Sequence, residues 1–308
     1  MAAISAAQVK ALREKTGAGM MDAKKALTAC DGDMAAAEAW IRTKLNLKAD
    51  KKSSRTAAEG LVAVAVDGGA AAAVEVNAET DFVARNADFQ AMVGEIAHVA
   101  IGVGDLEGLK AATMPSSGKT VEDHVRDKVG TIGENMSVRR LSKLSVSAGV
   151  IASYIHNAAA PGMGKIGVLV AIESAGDKAA IEAIGKQVAM HVAATNPAAL
   201  SKDDLDPVFV EKERVALTAQ ARESGKSEAV IAKMIGGRLN KFYQEVCLLT
   251  QPFVVNQDLS LEKALKEAEA SAGAPLNVTG FVRLEVGDGV EKEATDFAAE
   301  VAAQVGGS

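Results

Sequence analysis

The chain has 308 residues, 48% of them hydrophobic and only 3% aromatic, enough for two or three domains with cores built on Ala, Val, Ile, Leu and Met. Cys30 and Cys247 fit neither a metal-ligand spacing nor a disulfide framework, and no apolar run approaches the length of a membrane span. The net charge of −6 is unevenly divided: residues 1–56 carry 11 Lys/Arg against 6 Asp/Glu, and the acidic excess lies in the remainder.

A basic head on an acidic body permits nucleic-acid contact, but no aromatics are interleaved with its Lys and Arg to stack bases. Those cations fall at helical spacings expected of a solvated face. The opening MAAISAAQVKALREKTG has no apolar run behind a basic start, so no secretory leader is expected and the default location is the cytoplasm.

Residues 4–45 read as three short helices. Ser5 can cap the first, which TGAG (16–19) breaks; the second runs from Met20 through Leu27 to Asp31-Gly32; Asp33 caps the third, which carries Met34, Ala37, Trp40 and Ile41. This head, 1–47, is followed by a polar basic linker, 48–56. About forty residues make a marginal core, so the head is expected to rely on docking.

The body reads as a duplication. Gly60-LVAVAV, the turn Asp67-Gly68-Gly69, AAAVEVN and a helix ending GEIAHVA form one unit, 57–147, closed by the alternating strand Met136-SVRRLSKLSVS. Gly149-VIASYIHN, a Gly-rich turn, IGVLVAIES and a helix ending GKQVAMHVA begin the second, 148–198, which resumes over 247–289 in LLTQPFVVN and VTGFVRLEV. Antiparallel strands joined by local turns, with helices on one face, give an α+β class.

Between the halves of the second unit, 199–246 reads as a helical hairpin. Pro207 opens its first helix, Gly225 breaks it, and Ser227 caps a second carrying the stripe Ile231, Met234, Ile235, Leu239, Phe242, Val246. Such a hairpin buries only part of that stripe by itself. Packing on the parent domain and self-association are both open. A terminal helical module, 290–308, completes the chain.

Two apparent nucleotide motifs fail. Ser117-Gly118-Lys119-Thr120 lacks the earlier glycine of a phosphate loop, position 113 being threonine. Gly162-Met-Gly164-Lys-Ile-Gly167 joins two strands, with no helix N-terminus to hold a pyrophosphate. His98, His124, His156 and His191 form no metal-ligand spacing, and no Ser or Cys can be paired with a base. No cofactor, metal site or catalytic constellation is expected, which favours a binding or regulatory role.

The stretch ETDFVARN, 79–86, follows the strand AAAAVEVN. Thr80 or Asp81 can cap a helical turn that places Phe82 at a domain edge. A lone Phe there is more often a plug for its own domain than a group held outward for a partner. Together with TGAGMMDAKKAL (16–27), TIGENMSVRRL (131–141), AMHVAA (189–194), LTQPFVVN and VTGFVRLEVGDGVEKEATDFAAEVAAQ, this stretch gives a sequence that resembles bacterial elongation factor Ts from residue 4 to about residue 304.

The resemblance implies a ubiquitin-associated-like (UBA-like) head, two related α+β subdomains, a helical-hairpin dimerisation insertion over 199–246 and a C-terminal helix. It implies a guanine nucleotide exchange factor, not an enzyme, whose partner is the GTPase elongation factor Tu. Thr80, Asp81, Phe82 and Val83 match the element associated with displacing Mg²⁺ from that partner. Lys24, Ile132, Gly133, His156, Val254, Val255 and, in the terminal TDFAAEVAAQ, Phe297 match partner-contact elements. The chain departs from the common pattern in a longer loop after His156, NAAAPGMGK (157–165). The rival class is a ribosome- or RNA-associated protein using the basic head, which predicts a steep salt dependence of RNA binding.

Overall fold

The computed structural model describes residues 4–223, 225 and 227–291. Ser5 opens the fold with a capping box: its hydroxyl accepts from the Gln8 amide, and the Gln8 side chain accepts from the Ser5 amide. Helix α1 (Ala6–Thr16) stops at Gly17, α2 (Met20–Ala29) stops ahead of Asp31-Gly32, and α3 (Met34–Asp50) starts where the Asp33 carboxylate accepts from the Ala36 amide. Leu12, Leu27, Ala37, Ile41 and Leu45 close a small core among them. The expected linker is helical as far as Asp50, because Ala49 is buried in the core of the body that follows.

Strands β1 (Glu59–Asp67) and β2 (Ala70–Ala78) form a hairpin in full register, Glu59 opposite Ala78 and Asp67 opposite Ala70. Helices α4 (Ala87–Ile101), α5 (Leu106–Ala111) and α6 (Val121–Ile132) precede β3 (Met136–Ser145), which pairs with β2 as expected. The second unit repeats the order with β4 (Gly149–Ala160), β5 (Met163–Glu173) and α7 (Lys178–Thr195). Helices α8 (Pro207–Arg222) and α9 (Glu228–Val246) form the inserted hairpin. A small hairpin, β6 (Pro252–Phe253) and β7 (Asn256–Ser260), then α10 (Leu261–Ala272) and β8 (Asn277–Glu285) finish the described chain.

The fold is mixed α+β. Its main sheet has the order β3-β2-β1-β5-β4, with β8 also on β5. The two three-stranded halves meet where Val62 and Ala63 of β1 pair with Gly164 and Met163 at the start of β5. Helix α4 packs on β1 and β2, and α7 on β4 and β5. Each helix encloses an apolar core with its own half-sheet, one around Phe89, Met92 and Ile96 and the other around Val170, Ile181 and Val188. A third, thin cluster of Val62, Ala71, Ala73, Ile151, Leu169 and Leu284 takes residues from both halves. Small side chains there suit a chain so poor in aromatics.

Glu75 in β2 is fully buried and ion-paired to Arg139 and Arg140 of β3, and it also accepts from the Gly287 amide just beyond β8. A carboxylate withdrawn from water at that depth needs several charge-assisted donors, and it has them. The cluster fixes where the chain leaves β8.

Candidate functional site

The antiparallel ladder between β2 and β3 ends at the pair Ala78–Met136. One step further, Glu79 faces Asn135, and two steps further Thr80 faces Glu134. Here the strands no longer bond backbone to backbone; each carboxylate takes the amide across from it. Asn135 donates its N–H to Glu79 Oε1. Thr80 donates its N–H to Glu134 Oε2 at 2.9 Å and its hydroxyl to Oε1 at 2.7 Å. Arg55 reaches Glu79 at 3.3 Å, the Asn135 side chain donates to the Arg55 carbonyl at 2.7 Å, and Lys52 donates to the Gly133 carbonyl. The segment after α3, the start of the ETDF loop and the turn after α6 are thus laced together.

Neither Thr80 nor Asp81 caps the turn that follows, contrary to the sequence expectation. The Thr80 hydroxyl is committed to Glu134, and the Asp81 carboxylate lies 3.3 Å from Arg85. A 3-10 turn, Val83–Arg85, begins at Phe82 without a side-chain cap. Val83 and Ala84 are buried in the first core, while Phe82 is 75% exposed. With Thr80 held on one side and Val83 sunk on the other, the backbone turns the intervening Phe82 ring into solvent. Phe82 is not a plug for its own core.

Ile132 is half-buried at the end of α6 against the same core, and Gly133 terminates that helix at φ 93°, a left-handed conformation that a glycine adopts without strain. The structure therefore brings Ile132 and Gly133 beside Thr80. His156 stands exposed on β4, its Nδ1 3.4 Å from the Tyr154 hydroxyl. The expected loop over 157–165 is largely strand: β4 continues to Ala160, a turn passes Gly162, and β5 begins at Met163. Ala158 pairs with Gly164, so Ala- and Gly-rich sequence that reads as loop is held by the ladder instead. Asn157, Ala158 and Lys165 line one cleft of about 540 Å³ with Asp81, Arg85 and Gln90. The region just past His156 thus faces the ETDF loop.

Lys24 and the Val254–Val255 edge stand on other elements. Lys24 is exposed on α2 in a groove of about 680 Å³ with Val9, Arg13 and Met20. Nearby Asp22 accepts from Lys44 and Lys48, and those two hydrogen bonds hold its carboxyl at a pKa of about 2. Val254 is half-buried and donates its amide to His191 Nδ1 at 3.2 Å; His191 Nε2 lies 2.9 Å from Gln251 Oε1. Burial pushes the His191 pKa below its ordinary value, which suits a neutral ring accepting at Nδ1. Val255 is exposed. Phe297 and the rest of the terminal helical module from residue 292 on lie outside the described residues.

The two failed motifs have structural jobs. Thr120 of SGKT caps α6 by accepting from the Asp123 amide, and of the Gly162–Gly167 run Gly162 lies in the turn after β4 while the rest is the start of β5. Among the described residues no cluster of His, Cys, Asp or Glu could hold a metal ion, and no helix is long and apolar enough to cross a membrane. Sequence reasoning missed Glu79, Glu134 and Asn135. Their available signal was a carboxylate at the outgoing end of one strand and another at the incoming end of its neighbour.

Comparison with known proteins gives one answer. A family model described as Elongation factor TS matches residues 79–288. The elongation factor Ts of Parvibaculum lavamentivorans is 57% identical over 308 residues, covering all of both chains. Those of Sinorhizobium medicae and Rhizobium meliloti are each 56% identical over 305 residues, covering 99% of each chain.

Proposed function

The chain belongs to the elongation factor Ts family and is a translation elongation factor; from that premise we propose that it is a guanine nucleotide exchange factor for elongation factor Tu. In this reading it binds the GDP form of the GTPase, loosens Mg²⁺ and phosphate contacts, and leaves by the same route when nucleotide returns. The observation that carries the proposal is Phe82, 75% exposed between a clamped Thr80 and a buried Val83. A large apolar ring on a rigid edge is ready to enter an apolar crevice of a partner.

A GTPase holds its nucleotide through phosphate contacts and a Mg²⁺ bridging phosphate oxygens to the protein. Mg²⁺ demands near-octahedral geometry, so small shifts of its ligands are costly. Phe82 acts as a wedge that moves those ligands. Asp81 orients the wedge; its pairing with Arg85 leaves it a poor competitor for the ion. Burying a Phe is worth roughly 1.5–3 kcal/mol, whereas weakening a nucleotide by about four decades needs roughly 5.5 kcal/mol of differential binding. The rest of the effect comes from a broad surface including the Lys24 groove, the Ile132-Gly133 turn, His156, the Val254–Val255 edge and the terminal module with Phe297. By linkage, GDP weakens the grip of this chain on its partner by the factor it suffers itself.

The exposed Val208, Phe209, Val215 and Val230 on the α8–α9 hairpin support self-association through 199–246 as a secondary role. The deciding experiment is release of fluorescent GDP from a bacterial elongation factor Tu with and without this chain. Acceleration is expected; an unchanged release rate at saturating chain overturns the proposal.

A further inference from the structure

We propose that Glu134 is a positioning residue: its carboxylate holds Thr80 by two hydrogen bonds and so fixes the outward presentation of Phe82 before any partner arrives. The proposal rests on the exchange reading above for its consequence, but its geometry stands in the free chain. Beyond Ala78–Met136 the backbone ladder has ended, and nothing in the sheet itself forces residues 79–82 to keep their direction. The carboxylates of Glu79 and Glu134 extend the pairing by two positions, each taking the amide opposite. Of the two, Glu134 bonds the residue closer to Phe82 along the chain and makes two bonds to it, through the Thr80 amide and hydroxyl. Hydrogen bonds to a charged acceptor are the stronger kind, and two from one residue set its direction as well as its place.

Glu134 is itself held. It follows Gly133, whose carbonyl accepts from Lys52, and precedes Asn135, whose amide and side chain are bonded to Glu79 and to the Arg55 carbonyl. The carboxylate therefore sits on an anchored turn, and Thr80 is ordered against it. A wedge loop that is ordered in advance loses less entropy on docking. Removing Glu134 leaves the ring, its chemistry and the rest of the surface intact and makes the loop order itself at the moment of contact.

The test uses the full chain with Glu134→Ala, Glu134→Gln, Thr80→Val and the double variant Glu134→Ala/Thr80→Val. Amide hydrogen exchange at Thr80 is read in the free chain, and GDP release is read with elongation factor Tu over a range of chain concentrations. Glu134→Ala is expected to speed Thr80 exchange and to lower the maximal GDP release rate, each by about tenfold. Glu134→Gln, which keeps one uncharged acceptor for the amide and loses the charge and the second acceptor oxygen, recovers only part of both. Thr80→Val removes the hydroxyl at constant shape, guards against misfolding of the Glu134 variants, and slows release; the double variant is no slower than Glu134→Ala, because the pair acts as one unit. Thr80 exchange unchanged in Glu134→Ala overturns the proposal, as does a Glu134→Ala release rate equal to wild type. If the wild-type chain itself fails to accelerate GDP release, the exchange reading falls, and the clamp is judged on amide exchange alone.

Discussion

Replacing Phe82 by Ala separates presentation from packing more cleanly than any other change. The ring is 75% exposed, so about a quarter of its surface is covered in the free chain. Removing it should cost the folded state under about 0.5 kcal/mol, the range of ordinary surface substitutions. If docking covers the remaining three quarters, the lost transfer free energy is about 1–2 kcal/mol, or roughly a five- to thirtyfold loss in the maximal rate of GDP release. The assay is a stopped-flow chase of fluorescent GDP from elongation factor Tu at saturating chain, beside a urea titration of the free chain. Phe82→Leu, which keeps an apolar side chain, recovers most of the rate. A fall in stability of several kcal/mol would make Phe82 a core residue after all, and a wild-type release rate would remove the wedge from the mechanism. Either result refutes the reasoning.

Gly130 lies within α6, where alanine ordinarily gains about 1 kcal/mol over glycine; here its Cβ would stand 2.8 Å from Leu45 Cβ and 3.0 Å from the Leu45 carbonyl. The clash of about 1–3 kcal/mol outweighs the gain, so Gly130→Ala should lower the urea midpoint and speed proteolysis over 51–56; an unchanged or raised midpoint rejects a tight α3–α6 crossing. Asp22, with a folded pKa of about 2 against an ordinary 3.8, stabilises the head above pH about 4 and loses that contribution as pH falls through about 2. Its worth, screened by partly exposed lysines, is on the order of 1 kcal/mol; urea titrations of wild type and Asp22→Asn should differ at pH about 6 and converge at pH about 2, and equal curves throughout count against the Lys44–Asp22–Lys48 tie. Phe209 packs against Phe242 with ring centroids 5.5 Å apart and the ring planes tilted by 49°, and it is still partly exposed. Sedimentation at several concentrations should show a mass above one chain for wild type and a lower one for Phe209→Glu; a monomer throughout rejects self-association through the hairpin.

Local chemistry determined much of this protein. Ser5, Asp33 and Gly17 mark the helix ends of the head because capping and left-handed turns act within three or four residues. The apolar runs on either side of the turns at Gly68 and Gly162 announced two hairpins, and their repetition announced two half-sheets with a helix each. The family itself is legible in the motifs. Two helices are hidden for physical reasons: α5 spans six residues, and α6 repeats β-branched Val121, Val125 and Val129 at a helical spacing that their propensity opposes. Helix α10 is of another kind: Ser260 caps it and Leu, Ala, Glu and Lys fill it, so its signal stands in the sequence although the expected elements did not include it.

What only the tertiary structure decided is where ETDFVARN points. The sequence permits Phe82 to be core or tool, and Thr80 to be a cap or a bonded partner of something distant. Glu134 lies 54 residues away, and only the register of β2 against β3 carries it to Thr80. The same applies to the segment after His156, whose alanines and glycines become strand because β5 lies alongside. Capping and turn preferences act along the chain, whereas pairing across a sheet depends on residues the local sequence does not contain; the exposure of Phe82 is of the second kind.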